Sequence, residues 1–117
     1  MKVAIIGSRN LTISNLGEYL PPETTEIVSG GARGIDTCAR TYARAHDIAL
    51  REFHPDYARY GHAAPLRRNQ QIVDYADMVL AFWDGQSRGT AHVINICEKK
   101  RLMLKVIRIE TGEKTLV

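Results

Sequence analysis

The sequence predicts a protein of the α/β class, with an open and mostly parallel sheet. Three observations predict this class. Apolar blocks of strand length alternate with stretches of helical period. No repeat, low-complexity tract or linker interrupts them. The chain has 117 residues, of which 44% are hydrophobic and 25% charged, as is typical of one globular domain. We therefore expect a single domain over residues 1–117.

The amino-terminal half of the chain predicts three strands and two helices. Residues 2–7 are apolar on both faces, which is typical of a buried strand in a parallel sheet. Ser14 is a candidate N-cap for a short helix that Pro21 ends. Helical spacing of apolar residues predicts a helix whose inward stripe packs on the sheet, formed by Ile35, Cys38, Ala39 and Tyr42. The predicted elements are strand 2–7, helix 14–20, strand 26–29, helix 35–46 and strand 49–53.

The carboxyl-terminal half predicts two further helices and two further strands. Pro65 suits the first turn of a helix, and Asn69 shares that helix's inward face with Ile72. A polar side chain on an inward face needs a hydrogen-bond partner. Residues 54–63 form a loop that is long for this architecture, and such loops are often functional. The predicted elements are helix 65–75, strand 78–83, helix 89–100 and strand 103–109, with an exposed tail from Glu110.

These elements predict a Rossmann-like sheet of about five strands in the order 3-2-1-4-5, with helices on both faces. Right-handed crossovers between parallel strands leave few other orders. Ligands of such sheets bind beyond the carboxyl ends of the strands, where the strand order changes direction. That edge lies between the first and fourth strands. Four predicted loops meet there, at residues 7–10, 29–36, 54–60 and 84–90.

Two of these loops contain glycines and lead into helices, at residues 29–36 and 84–90. Glycine lets backbone N–H groups approach an anion closely, and a helix N-terminus binds phosphate. Known nucleotide-binding fingerprints do not fit. Ala32 occupies a position where the dinucleotide-binding motif needs glycine, and no Walker motif is present. An ordinary NAD-dependent enzyme and a P-loop ATPase are therefore disfavoured.

The basic residues favour a small phosphorylated ligand. The net charge of +3 is modest, but eleven of the sixteen basic residues are arginines, whose planar fork suits phosphate. Binding of a DNA strand takes about 6–10 phosphate contacts, which exceeds what one such edge offers. A homo-oligomer, which we also expect, would double the charged edge, so single-stranded nucleic acid remains an alternative. The arginines predicted in or beside loops are Arg9, Arg33, Arg67, Arg68 and Arg88.

The candidate ligand-binding residues come from the same loops. Arg68 and Asn69 are expected to close over the ligand from the side, and Tyr57 or Tyr60 to stack on a base. Trp83 is a further candidate for stacking, with ordinary packing as the alternative. Asp36, Asp56 and Asp84 are candidates for chemistry. Asp36 is more often expected to cap or brace its own loop, and Asp84 to accept from nearby N–H groups. No catalytic residue, metal site or cofactor beyond the suspected nucleotide is assigned. The candidate site comprises Gly7, Ser8, Arg9, Ser29, Gly30, Gly31, Arg33, Gly34, Asp36, Tyr57, Arg68, Asn69, Asp84, Gly85, Ser87, Arg88, Gly89 and Thr90.

Other features indicate a cytoplasmic protein without a membrane partner. Cys38 and Cys97 lack the spacing of a metal or redox motif, so both are expected to be buried free thiols in a reducing compartment. No apolar run approaches the ~20 residues that span a bilayer, and no signal peptide is expected. Glu52 and Glu98 are expected on solvated surfaces.

Several motifs, in order along residues 3–109, resemble a known superfamily. Residues 29–36 resemble the central motif of DNA-processing protein A, and the wider pattern is similar to the SLOG superfamily, which includes the LOG phosphoribohydrolases. The chain looks most like the YspA-like, YpsA-related branch. The motifs that carry this resemblance are Gly7-Ser8-Arg9, Phe53-His54-Pro55-Asp56-Tyr57, Tyr60-Gly61, Arg68-Asn69, Ala76-Asp77 and Phe82 to Thr90.

The resemblance implies a Rossmann-like fold and a site for nucleotides or nucleotide-derived molecules. LOG enzymes carry a glutamate three residues after the threonine of their second glycine motif, where this chain has Val93. The resemblance therefore disfavours phosphoribohydrolase activity. Arg40 replaces a histidine of the DNA-processing pattern. Binding of a nucleotide, with a role in sensing or processing it, is the leading hypothesis. The alternatives are hydrolysis of its N-glycosidic or phosphate bond and binding of single-stranded DNA.

Overall fold

The structure, a computed structural model, describes residues 1–110 as an open sheet of five parallel strands with helices on both faces. The strands are β1 Lys2–Gly7, β2 Glu26–Ser29, β3 Ala49–Glu52, β4 Met78–Trp83 and β5 Met103–Arg108. The helices are α1 Ile35–Ala45, α2 Tyr57–Tyr60, α3 Ala64–Tyr75 and α4 Arg88–Lys100, with 3-10 turns at Leu16–Glu18 and Gly61–Ala63. The strand order β3-β2-β1-β4-β5 confirms the predicted fold class.

Alternating side chains of β1 divide the core into two layers. Ile5 belongs to the layer that α1 covers, where it packs with Ile35. Ala4 belongs to the opposite layer, where α3 and α4 pack through residues such as Val73 and Val93. Because successive side chains of a strand point to opposite faces, an apolar strand needs a helix on each side. The two helix layers leave the carboxyl edge of the sheet open.

Two predicted segments differ from the structure. The predicted helix 14–20 is only the 3-10 turn Leu16–Glu18, and Ser14 does not cap it. Seven residues are too few to offset the cost of starting a helix without strong tertiary support. The predicted loop 54–63 contains α2 and the second 3-10 turn. Asp56 caps α2 by accepting a hydrogen bond from the Arg59 backbone N–H at 3.1 Å.

The other predicted helices and strands agree with the structure to within one residue at each end. The prediction that arginines 67 and 68 lie in or beside a loop is wrong, because both are inside α3. Glu110 is exposed as predicted, and the rest of the predicted tail lies outside the described residues. Within residues 1–110, no helix has the length and apolar character needed to cross a membrane.

The two cysteines differ in burial. Cys97 is buried in α4, and burial raises the pKa of its thiol to about 11, so it stays protonated and unreactive. Cys38 is only half-buried, which corrects the prediction of a buried thiol. The inward stripe of α1 is rotated relative to the predicted one, so that Asp36 and Ala43 are buried with Ala39. The rotation puts an acidic side chain beneath the first glycine loop.

Candidate functional site

A cavity of about 410 Å³ lies at the carboxyl ends of β1, β2 and β4. We call it the rim cavity. Its volume falls in the range of small-molecule sites, about 300–1,000 Å³. Both glycine loops line it, one through Gly30 and Arg33 and the other through Ser87 and Gly89. The edge at which the strand order reverses therefore carries a concave site.

The rim cavity brings together eleven of the eighteen candidate residues. They come from the end of β1 and the loop after it, from the first glycine loop and from α3. The second glycine loop and the first turn of α4 supply the rest. The eleven are Gly7, Arg9, Gly30, Arg33, Asp36, Arg68, Asn69, Asp84, Ser87, Gly89 and Thr90.

Three other candidates lie next to the rim cavity without lining it. Ser8 and Ser29 are both buried. The Ser8 hydroxyl accepts a hydrogen bond from the Asp84 N–H, and the Ser29 hydroxyl accepts one from the Gly31 N–H, each at 3.3 Å. The two serines thus hold the loops in place. Gly31 lines a neighbouring groove instead.

The remaining four candidates point elsewhere. Gly34 and Gly85 have positive φ angles of 74° and 85° and serve as turns. Arg88 begins α4 and is exposed, and the rim cavity does not include it. Tyr57 is 58% exposed on α2, also outside the cavity.

The first glycine loop satisfies much of its own backbone. The Gly31 N–H donates to Ser29 Oγ, and the Ala32 N–H donates to Asp36 Oδ2 at 3.1 Å. Burial raises the pKa of Asp36, while the Ala32 N–H and the Arg68 guanidinium oppose that rise. Asp36 therefore braces the loop from within. The other carboxylate oxygen, Oδ1, is buried and has no hydrogen-bond partner among the described residues.

The second glycine loop is braced in the same way. Asp84 Oδ1 accepts hydrogen bonds from the Gln86 and Ser87 N–H groups, each at 2.8 Å. Ser87 caps α4 by accepting from the Thr90 N–H at 3.4 Å. Residues 1–110 provide no acceptor for the N–H groups of Arg88 and Gly89. Of these two residues only Gly89 lines the rim cavity, so its amide is placed to bind an anion there.

Arg68 connects α3 to the first glycine loop. Its Nη1 donates to the Gly30 carbonyl at 2.7 Å, and its Nε donates to Asn69 Oδ1 at 3.0 Å. Burial lowers the pKa of Arg68, and the nearby Arg9 lowers it further. Asp36 opposes this lowering, and an arginine guanidinium stays protonated at neutral pH in proteins. The side chain is thus a charged group held in one position at the cavity wall.

The buried Asn69 finds its partners in side chains. Because a guanidinium only donates, Asn69 Oδ1 must accept from Arg68, and its amide nitrogen must donate to His92 Nδ1 at 3.1 Å. His92 Nδ1 is therefore the acceptor of this hydrogen bond. Sequence reasoning identified Asn69 but missed His92, since nothing in the spacing of α4 marks it.

The predicted aromatic platform for a base is not part of the rim cavity. Trp83 Nε1 donates to the Ser87 carbonyl at 3.0 Å, so the indole supports the loop. Tyr60 carries the guanidinium of Arg59 over its ring, 5.3 Å from the centroid. The apolar part of the cavity comes instead from residues that were not predicted as site residues. These are Ile6, Pro65, Leu66, Ile72 and Val93, which Asn10 and Ala32 join at the wall.

A second groove of about 590 Å³ lies beside the rim cavity. We call it the outer groove. Arg9, Arg33 and Arg68 line both, and the outer groove adds Arg40 and His54. Glu52 pairs with these two residues. Its side chain is only 18% exposed, so the prediction of a solvated Glu52 is wrong. The pairing joins residues of different elements, and no local pattern reveals it.

The fold and its rim cavity define a Rossmann-like α/β domain with a candidate site for a small ligand. Comparison of the chain with protein-family models, with curated proteins and with solved structures finds no match. The resemblance to the SLOG superfamily therefore stays a prediction. Among the described residues, no three His, Cys, Asp or Glu side chains form a group that could hold a metal ion.

Replacing Asp84 with asparagine should destabilise the fold in a pH-dependent manner. The N–H groups of Gln86 and Ser87 lower the pKa of Asp84. The carboxylate therefore stabilises the fold above the ordinary aspartate pKa of about 3.9, and this contribution disappears as the pH falls through the lowered value. Asp84→Asn should lower the thermal midpoint at about pH 7, and the difference should close toward about pH 2. Melting curves of wild type and variant across this pH range test the prediction. A difference in thermal midpoint that stays constant with pH would contradict it.

Proposed function

We propose that this chain binds a nucleotide or a phosphorylated nucleoside derivative in the rim cavity. One observation carries the proposal: Arg9, Arg33 and Arg68 line the same cavity as the first turn of α4. Arginine forks bind phosphate through paired hydrogen bonds, and the start of a helix favours an anion. Two independent kinds of phosphate-binding group thus face one small volume.

The rest of the rim cavity suits the remainder of a nucleotide. Ile72 and Val93 lie on its apolar part, and Asn10 and Asp84 supply polar groups for a sugar or a base. Charge-assisted hydrogen bonds contribute about 1.5–3 kcal/mol each, and a helix terminus about 0.3–2 kcal/mol. Together these contacts approach the ~8 kcal/mol of micromolar affinity. One phosphate group is therefore enough to anchor the ligand.

Binding is favoured over hydrolysis by the state of the carboxylates. Asp36 and Asp84 are the acidic residues that line the rim cavity, and both accept hydrogen bonds from their own loops. Val93 lies in the cavity where the resembled hydrolases carry a glutamate. Incubation with nucleoside monophosphates, followed by chromatography for free base, should leave the nucleotides intact.

Replacing Arg33 with alanine should weaken nucleotide binding about tenfold, because one charge-assisted hydrogen bond is lost. Thermal-shift screening with nucleoside 5′-monophosphates first identifies a ligand, and titration of wild type and variant then measures the change. Arg88→Ala is the matched control. Arg88 is an exposed arginine outside the rim cavity, so its loss should leave the affinity within about twofold.

Equal affinities of Arg33→Ala and wild type would remove Arg33 from the site, and a loss with Arg88→Ala would contradict the placement of the cavity. Failure of every nucleotide to bind would overturn the proposal. Mass spectrometry of small molecules released by denaturing the purified protein identifies the natural ligand. Sedimentation tests the expected homo-oligomer, and a salt-dependent mobility shift tests the single-stranded DNA alternative.

A further inference from the structure

The residues that line the outer groove carry a larger net positive charge than those of the rim cavity, although Glu52, which does not line the groove, offsets Arg40. Four arginines line it, together with His54, and none of the residues that line it in the described chain is acidic. The rim cavity has three of these arginines, but Asp36 and Asp84 offset them. The groove arginines are Arg9, Arg33, Arg40 and Arg68. Like charges that share a small volume repel one another unless an anion lies between them.

Arg40 and His54 are held in place by one carboxylate. Arg40 Nε donates to Glu52 Oε2 at 2.9 Å, and His54 Nε2 lies 3.3 Å from Glu52 Oε1. The pairing uses only the Nε of the guanidinium, so the N–H groups of its two terminal nitrogens remain available to bind an anion. A guanidinium oriented in this way loses little side-chain freedom when it binds a second anion.

The outer groove and the rim cavity lie against the same loop. Gly30 and Ala32 line both, as do the three shared arginines. The His54 ring packs against Gly31, where a Cβ would lie 2.7 Å from its Nδ1. A group that extends from a ligand in the rim cavity therefore meets the cations of the outer groove directly, without crossing another element of the fold.

We propose that the outer groove binds a second phosphate group of the same ligand, so that the chain prefers nucleoside diphosphates over monophosphates. This inference rests on the proposed function, because the first phosphate and the nucleoside occupy the rim cavity. Arg40 is the residue that distinguishes the two ligand classes. Arg9, Arg33 and Arg68 line both spaces, whereas Arg40 belongs to the outer groove alone.

The test compares the affinities of the four common nucleoside 5′-monophosphates with those of their diphosphates, by calorimetry. At least one diphosphate should bind about tenfold more tightly than its monophosphate, which is the effect of one added charge-assisted contact. Arg40→Gln should remove this gain and leave the monophosphate affinity unchanged. Arg44→Gln replaces an exposed arginine on the same helix and should alter neither affinity.

A second variant separates the loss of a ligand contact from a destabilised fold. Arg40→Gln leaves Glu52 without its arginine, whereas Arg40→Gln/Glu52→Gln leaves neither charge behind. The double variant should also bind monophosphate normally and lose the diphosphate gain. Melting curves of both variants show whether the fold is intact.

Each other outcome has a distinct meaning. If monophosphates bind and diphosphates gain nothing, the inference is overturned while the proposed function stands. If no nucleotide binds, the proposed function fails and the inference fails with it. Equal weakening of both ligand classes by Arg40→Gln would also overturn the inference. So would an Arg40-dependent gain seen only with a short oligonucleotide, which would identify a strand as the occupant of the groove.

Discussion

Replacing Gly34 with alanine should lower the free energy of unfolding by about 3 kcal/mol. Gly34 has φ 74° and ψ −124°, a conformation that costs an L-residue about 1–2 kcal/mol or more. A Cβ would also lie 2.5 Å from the Arg9 carbonyl oxygen and 2.7 Å from that of Ser8. Both are backbone atoms, so neither can turn aside as a side chain would, and such overpacking adds about 1–3 kcal/mol. Urea unfolding measures the loss.

Gly61 provides a matched control for this prediction. Its φ of 54° and ψ of −131° resemble those of Gly34, but within residues 1–110 no atom beyond its chain neighbours lies within 4 Å of the position of its Cβ. Gly61→Ala therefore loses stability only through the unfavourable backbone conformation, and its free energy of unfolding should fall clearly less than that of Gly34→Ala. If the two variants lost equal stability, the close approach of Gly34 to the loop after β1 would be unimportant.

Replacing Arg68 with glutamine should weaken nucleotide binding about 100-fold. Two effects combine: the ligand loses a charge-assisted contact, and the Gly30 carbonyl loses its 2.7 Å donor. The first glycine loop would then lose its connection to α3. Titration of wild type and variant with the nucleotide found by thermal-shift screening measures the change.

Arg67 is the control for Arg68, because it is the preceding residue of the same helix and has the same charge. Its guanidinium lies 5.2 Å from the centre of the Tyr60 ring, and it does not line the rim cavity. Arg67→Gln should bind nucleotide within about twofold of wild type. Circular dichroism checks that both variants are folded. If the two replacements had similar effects, general charge rather than the Arg68 contact would control binding.

The fold was predictable because it follows from local patterns. The apolar block Met78–Trp83 has the length and composition of a buried strand, and it forms β4 with these boundaries. The inward face that carries Ile72 and Val73 likewise predicts both α3 and the burial of Asn69. The prediction of helix 14–20 was wrong because the segment is short, and short helices depend on tertiary contacts that sequence periodicity does not report.

The candidate site was predicted in part. Both glycine loops line the rim cavity, since the carboxyl ends of neighbouring parallel strands meet at one edge of a sheet. The interpretation that Asp36 braces its own loop and that Asp84 accepts from nearby N–H groups is confirmed, since their carboxylates accept hydrogen bonds from several of the loop amides. The phosphate contacts that we propose therefore come mainly from arginine side chains, with Gly89 supplying a free N–H group.

The sequence by itself determined the α/β class, the strand order and the edge at which the glycine loops lie, because each follows from hydrophobic period and from the handedness of parallel crossovers. Only the tertiary structure decided which side chains meet at that edge. Arg40 pairs with Glu52 and Asn69 with His92 across different elements of the fold. Such pairings depend on how helices and strands rotate and pack against one another, and neighbouring residues along the chain do not specify that packing.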